Sequence, residues 1–240
     1  MKAIILAAGR GSRLESLTDN QPKCRVKLHG KQLIEWQIDS LNNSGIKHLA
    51  IVRGYMADNF QYDFQYFENK RWDKTNMVVS LLAASQWLER EECIISYSDI
   101  VYSSDTVNRL INADGEIVIA YDPNWLVLWK MRFKNPLSDA ETLKIERGKI
   151  IEIGKRTSDL EDIEGQYMGL LKISPSGWLK ISNYLDTLTE DEVDNLDMTG
   201  MLNNLIISGV TIRCVPIREK WYEVDSQTDL NCYQELESLW

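Results

Sequence analysis

Residues 5–23 read ILAAGRGSRLESLTDNQPK, an apolar run followed at once by two glycines, two arginines and a lysine. Gly9 and Gly11 free the backbone to gather several N–H groups into a concave nest, which suits phosphate oxygens. Arg10, Arg13 and Lys23 supply charge of the matching sign. The dinucleotide fingerprint GxGxxG fails here because Leu14 occupies the third glycine position, and the P-loop pattern GxxxxGK[ST] is absent. A strand-to-helix turn that needs only positive φ is the plainer reading, but it leaves both arginines and the Pro22-Lys23 pair without a purpose.

A bound polyphosphate calls for a divalent cation, and magnesium takes one or two carboxylates together with phosphate oxygens and water. Two carboxylates end apolar runs: Asp99 closes CIISYSD and Asp225 closes WYEVD. Each can also be read as a helix N-cap. Histidine occurs only as His29 and His48, which argues against a zinc centre or a Ser-His-Asp machine. Cys24, Cys93, Cys214 and Cys232 are far apart and fit reduced thiols.

These groups need a scaffold, and the hydrophobic pattern supplies one. Short β-branched runs (AIILAA, HLAIVRG, CIISYSD) alternate with amphipathic stretches (LIEWQIDSLNNSG, NMVVSLLAASQWLER), the grammar of βαβ units around buried parallel strands. Residues 33–41 predict a helix stopped by Gly45. From about residue 115 the pieces shorten, and Arg147-Gly148 predicts a hairpin turn between ETLKIE and KIIEIG. We read residues 115–172 as an antiparallel lid inserted on the parallel sheet of a single domain spanning 1–240. Ser226 with Asp229 forms a capping-box start for a last helix.

A net charge of -9 and a pI near 4.9 repel nucleic acid and anionic lipid. The apolar run after Lys2 is too short for a signal peptide, and no stretch approaches the roughly 20 residues that cross a bilayer. The expectation is a cytoplasmic enzyme with no nucleic-acid or membrane partner.

LAAGRGSRL followed by QPK resembles the signature of nucleotide-sugar pyrophosphorylases and related nucleotidyltransferases, roughly LAAGxGxRL…PK. The resemblance implies an α/β, three-layer Rossmann-like fold with a mainly parallel central sheet and a small antiparallel insertion. It implies that the backbone of Leu6, Ala7 and Ala8 lies against the nucleobase and that Gly9, Arg10, Gly11 and Ser12 wrap the phosphates. Arg13 would contact the β and γ phosphates, Lys23 would stabilise the α-phosphate under attack, and Asp99 and Asp225 would hold Mg²⁺. Cys24 stands where such chains carry leucine or methionine, and Ser98 where glycine usually precedes the aspartate.

In length the chain is similar to compact bacterial cytidylyltransferases that use CTP to activate phosphocholine, 2-aminoethylphosphonate or phosphorylated amino-acid derivatives for surface polysaccharide or lipid. WDKTNMVVSLLAA resembles their stretch near the nucleotide, which assigns Asn76 and Ser80 to the base or ribose. In YDPNWLVLWKMRFKNPLSDAET, Trp125, Trp129 and Arg132 share a helical face. The indoles, beside the carboxylates Asp122, Asp139 and Glu141, fit a cage for the acceptor's cationic amine, and Arg132 its phosphate. An apolar stripe packed in the core or at a homodimer interface fits equally well. Two other functions stay open: a sugar-1-phosphate nucleotidylyltransferase using UTP, dTTP or GTP, and a nucleotide-binding regulator without catalysis.

Overall fold

A computed structural model describes residues 1–240. The first apolar run forms β1 (Lys2–Ala7), buried from Ala3 onward. Its side chains alternate between two core layers, with Ala3, Ile5 and Ala7 on one face and Ile4 and Leu6 on the other, so both faces need cover. Helix α1 (Leu33–Asn43) starts from a reciprocal cap between Gln32 and Glu35 and stops before Gly45, whose φ of 86° suits a residue without Cβ. Then come β2 (Leu49–Arg53), β3 (Gln65–Glu68), α2 (Met77–Leu82), β4 (Cys93–Tyr97), β5 (Ile100–Tyr102), α3 (Ser104–Ile111), β6 (Ile117–Asp122) and α4 (Trp125–Arg132). The remainder is β7 (Glu141–Glu146), β8 (Lys149–Arg156), β9 (Gln166–Ile173), α5 (Pro175–Leu185), α6 (Glu190–Asn195), α7 (Met198–Ile207), β10 (Arg213–Pro216), β11 (Trp221–Glu223) and α8 (Gln227–Gln234).

Nine strands make one sheet in the order β3-β2-β1-β4-β9-β6-β10-β8-β7, in which β8 and β9 run against the rest. Helices α1, α3, α4 and α8 cover one face and α2, α5 and α7 the other, which gives three layers. No helix is long and apolar enough to cross a membrane.

The predicted hairpin forms at Arg147 (φ 50°) and Gly148 (φ 73°), the pair of positive φ values that a tight two-residue turn requires. The hairpin is the expected small antiparallel insertion, but it joins the edge of the sheet and does not lie over it as a lid. β7 and β8 extend the same sheet at one edge, because Leu143, Ile150 and Ile153 must bury their side chains under Met198, Met201 and Leu205 of α7. The carboxyl ends of β1 and β4 meet where the chain order reverses, the crevice in which open α/β sheets place ligands.

Candidate active site

Two backbone features bring the charged residues of the first loop together. Gly11 adopts a left-handed conformation (φ 74°, ψ 51°) at the start of a tight turn over Ser12–Thr18. A Cβ built there would lie 2.6 Å from Cβ and Cδ of Lys23, so glycine is required both by φ and by the lysine stem passing against it. Pro22 fixes the entry to a short turn over Lys23–Arg25, and that turn buries Lys23 to 7% exposure.

The aspartates arrive from further away. β5 follows Asp99 directly and pairs antiparallel with β11, with Glu223 opposite Ile100 and Tyr222 opposite Val101. The Val224 N–H donates to the Asp99 carbonyl at 2.9 Å, which sets Asp225 beside Asp99. The Lys23 ammonium lies between them, donating to Asp99 Oδ2 at 2.8 Å and to Asp225 Oδ1 at 2.5 Å. Arg13 reaches the other Asp225 oxygen from the solvent side with its own side chain 70% exposed. Arg10 faces outward, pairs with Asp19 at 2.7 Å and leans over the Tyr55 ring. Leu6, Ala7 and Ala8 are buried at the end of β1, and the Ala8 carbonyl accepts the Tyr55 N–H at 2.8 Å.

Burial disfavours charge on Lys23, but Asp99 and Asp225 outweigh it and hold its pKa above the ordinary lysine value. Burial likewise pushes Asp225 up, and Lys23 and Arg13 more than reverse this, leaving its carboxyl below the ordinary range. Asp99 Oδ1 is buried and has no hydrogen-bond partner. An orphaned carboxylate oxygen beside a second carboxylate is a hard oxygen donor set, which fits magnesium.

Beside this cluster opens a cleft of about 330 Å³ whose lining includes Arg13 and Asp225 together with Trp129, Asp139 and Glu141. Trp129 is 4% exposed, and its indole N–H donates to Asp139 Oδ2 at 3.1 Å. Asn76 also lines the cleft as the N-cap of α2, its side-chain oxygen accepting the Met77 N–H at 2.7 Å. A more apolar cavity of about 360 Å³ beside Val127 and Met131 contains none of Arg13, Lys23, Asp99 or Asp225.

Three expected contacts are not made. Ser80 is buried behind the cleft wall, where its hydroxyl accepts from Asn69 Nδ2 at 3.1 Å, because the first turn of α2 faces it inward. Trp125 shares the α4 face with Trp129 but packs in the core and donates to the Ile163 carbonyl at 3.4 Å, so it neither cages a ligand nor offers a homodimer surface. Arg132 is fully committed to Glu223 and Asp229 beneath the cleft and is not free for a phosphate. Glu141, expected beside the indoles, does line the cleft; Arg156, Gln166, Tyr167 and Thr199 line it without any sequence signal, and Glu223 does so without having been assigned a site role. Burial raises the Glu223 carboxyl to about 7 against the pull of Arg132, with Asp99 and Asp225 adding to the rise.

Residues 3–153 match the family of MobA-like NTP transferase domains. Over 96% of this chain and 98% of the relative, the sequence is 42% identical to the CTP:phosphoglutamine cytidylyltransferase of Campylobacter jejuni. Over 96% and 91%, it is 26% identical to the 2-aminoethylphosphonate cytidylyltransferase of Lancefieldella rimae. Among solved structures, the inositol-1-phosphate CTP transferase from T. maritima aligns over 98% of this chain and 96% of its own with a TM-score of 0.77 at 18% identity, a likeness of fold.

Proposed function

The chain belongs to the MobA-like NTP transferase family, a nucleotidyltransferase family, and from that premise we propose that it transfers CMP from CTP to the phosphate of a small amine-bearing acceptor, releasing pyrophosphate. The observation that carries this reading is the Lys23 ammonium seated between Asp99 and Asp225, with Arg13 also paired to Asp225, beside a cleft whose lining includes Asp139 and Glu141. The relatives named for phosphoglutamine and 2-aminoethylphosphonate support the choice of cytidine nucleotide and of a nitrogen-bearing acceptor.

An acceptor phosphate oxygen attacks the α-phosphorus in line; a new P–O bond forms as the bond to pyrophosphate breaks. The nucleophile is already an anion, so no general base is required. Lys23 and Arg13 offset charge on the five-coordinate phosphorus and on the leaving group, fixed cations aimed where negative charge grows. Asp99 and Asp225 would hold a magnesium ion, whose chemistry is to neutralise phosphate oxygens. Residues 9–12 offer backbone N–H groups to the triphosphate, with Asn76 at the nucleoside side. At the other end, Asp139 and Glu141 attract the amine, and the Trp129 face excludes water from it.

The test is pyrophosphate release with Mg²⁺, crossing CTP, UTP, dTTP, GTP and ATP with phosphoglutamine, phosphocholine, 2-aminoethylphosphonate and several sugar-1-phosphates. Turnover confined to CTP and an amine-bearing acceptor supports the proposal. Turnover only with a sugar-1-phosphate would overturn it, and no release with any pair would favour a regulator.

A further inference from the structure

We infer that Arg132 is a positioning residue that fixes the backbone of Asp225 through Asp229 and does not read the acceptor. The inference rests on Asp225 serving the nucleotide site as proposed above. Arg132 sits in the last turn of α4 with its side chain 1% exposed. Its Nε donates to Asp229 Oδ1 at 3.1 Å and its Nη1 donates to Glu223 Oε2. The guanidinium carbon lies 5.1 Å from the centre of the Trp129 ring and 5.0 Å from that of Phe133. Buried, sandwiched and engaged on two sides, this group is committed to the protein.

Asp229 passes the constraint on. Its second oxygen, Oδ2, accepts the N–H of Asp225 at 3.0 Å and of Ser226 at 2.9 Å, while its own N–H donates to Ser226 Oγ at 3.2 Å. The cap therefore fixes the main chain of Asp225, and Lys23 and Arg13 fix its carboxylate. The Asp229 side chain is only 3% exposed, and Arg132 is the cation that pairs with it there. Without that partner the buried carboxylate has no cation beside it and turns toward water, which loosens its hold on the two amides. Arg132 also pairs with Glu223, two residues before Asp225, so one guanidinium ties α4, α8 and the end of β11 together. A lysine ammonium is a point donor without the fork that spans two carboxylates from different elements.

The experiment combines amide exchange of the ligand-free, metal-free protein with steady-state kinetics for Arg132→Met and Arg132→Lys. In Arg132→Met the Asp225 and Ser226 amides should exchange at least about ten-fold faster while those of β1 and β2 keep their rates, and kcat should fall about 10–100-fold with acceptor KM little changed. Arg132→Lys should recover part of both. Acceptor KM rising while kcat and exchange hold would overturn the inference and return Arg132 to the acceptor phosphate. A lower melting temperature with unchanged exchange and kcat would also overturn it and leave only packing. If Arg132→Met does not fold, Asp229→Asn, which removes the charge that Arg132 grips and keeps the size, decides the matter by the same two amides. Exchange needs no substrate, so it decides the inference even if no nucleotide and acceptor pair turns over.

Discussion

The two ends of the cleft are built in different ways. The phosphate end takes Gly9, Gly11, Arg13 and Lys23 from one short stretch and adds two aspartates through a single strand pairing, β5 with β11. The part proposed above for the acceptor takes Trp129 from α4, Glu141 from β7, Arg156 from β8, Tyr167 from β9 and Thr199 from α7. Geometry at the first end follows from local backbone chemistry, the positive φ of Gly11 and the fixed φ of Pro22. At the second it follows from the order of strands in the sheet. Chemistry that is the same for every substrate can be carried by a loop that tolerates little change, whereas choice among substrates is spread over elements that can change one at a time.

That contrast fails first, if it fails, at Trp125. The residue lies on the acceptor-side helix yet faces the core, so Trp125→Ala should cost about 3–5 kcal/mol of stability in urea unfolding while acceptor KM of the folded enzyme hardly moves. A raised acceptor KM at unchanged stability would put Trp125 back in the cleft. Lys23→Ala should lower kcat by about 10²–10³, the loss typical of a removed charge-stabilising donor, with acceptor KM close to wild type. If the acceptor KM rises instead, the phosphate end is also a recognition site and the division between the ends disappears. Gly11→Ala should follow with about 1–3 kcal/mol of strain, since alanine must hold φ near 74° and push the Lys23 stem aside. The sharper reading is a kcat loss that exceeds the change in melting temperature, because the displaced group is Lys23.

Much of this was legible in the sequence, for the same reason that the two ends differ. Short β-branched runs marked β1, β2 and β4, an amphipathic stretch marked α1, a turn pair marked the 147–148 hairpin, and the strand-end positions of Asp99 and Asp225 singled them out. The pairing that joins those aspartates leaves no trace in local pattern, since it matches Ile100–Tyr102 with Trp221–Glu223 across the length of the chain. Helical spacing put Trp125, Trp129 and Arg132 on one face correctly, but could not say that the face meets the core along most of its length. The Ser226–Asp229 cap was visible as a local motif, whereas its tie to Arg132, 97 residues away, was not. What turns Ser80 inward, Asn69, lies on the preceding loop and leaves no local pattern at Ser80 itself.

The smallest predicted effect is also the one that asks most of the acceptor end. In the pairing of β7 with β8, Arg156 lies opposite Glu141, so the last rung of the hairpin presents a cation and an anion side by side at the cleft. Arg156 Nη1 donates to the Asp139 carbonyl at 2.6 Å and to the Ser138 carbonyl at 3.3 Å, and the side chain is exposed. Burial raises the Glu141 carboxyl above its ordinary range, with a hydrogen bond from Thr199 opposing the rise. A zwitterion is the natural complement of such a rung: an ammonium toward Glu141 and a carboxylate toward Arg156. Arg156→Met should therefore raise the KM of phosphoglutamine by about ten-fold, the worth of one charge-assisted hydrogen bond partly exposed to water, and leave that of phosphocholine, which has no carboxylate, unchanged. Glu141→Gln should weaken both acceptors, since both carry a cationic nitrogen, and neither change should move the KM of CTP. Equal losses for CTP and acceptor would mean that the rung supports the whole cleft, and that substrate choice is made elsewhere.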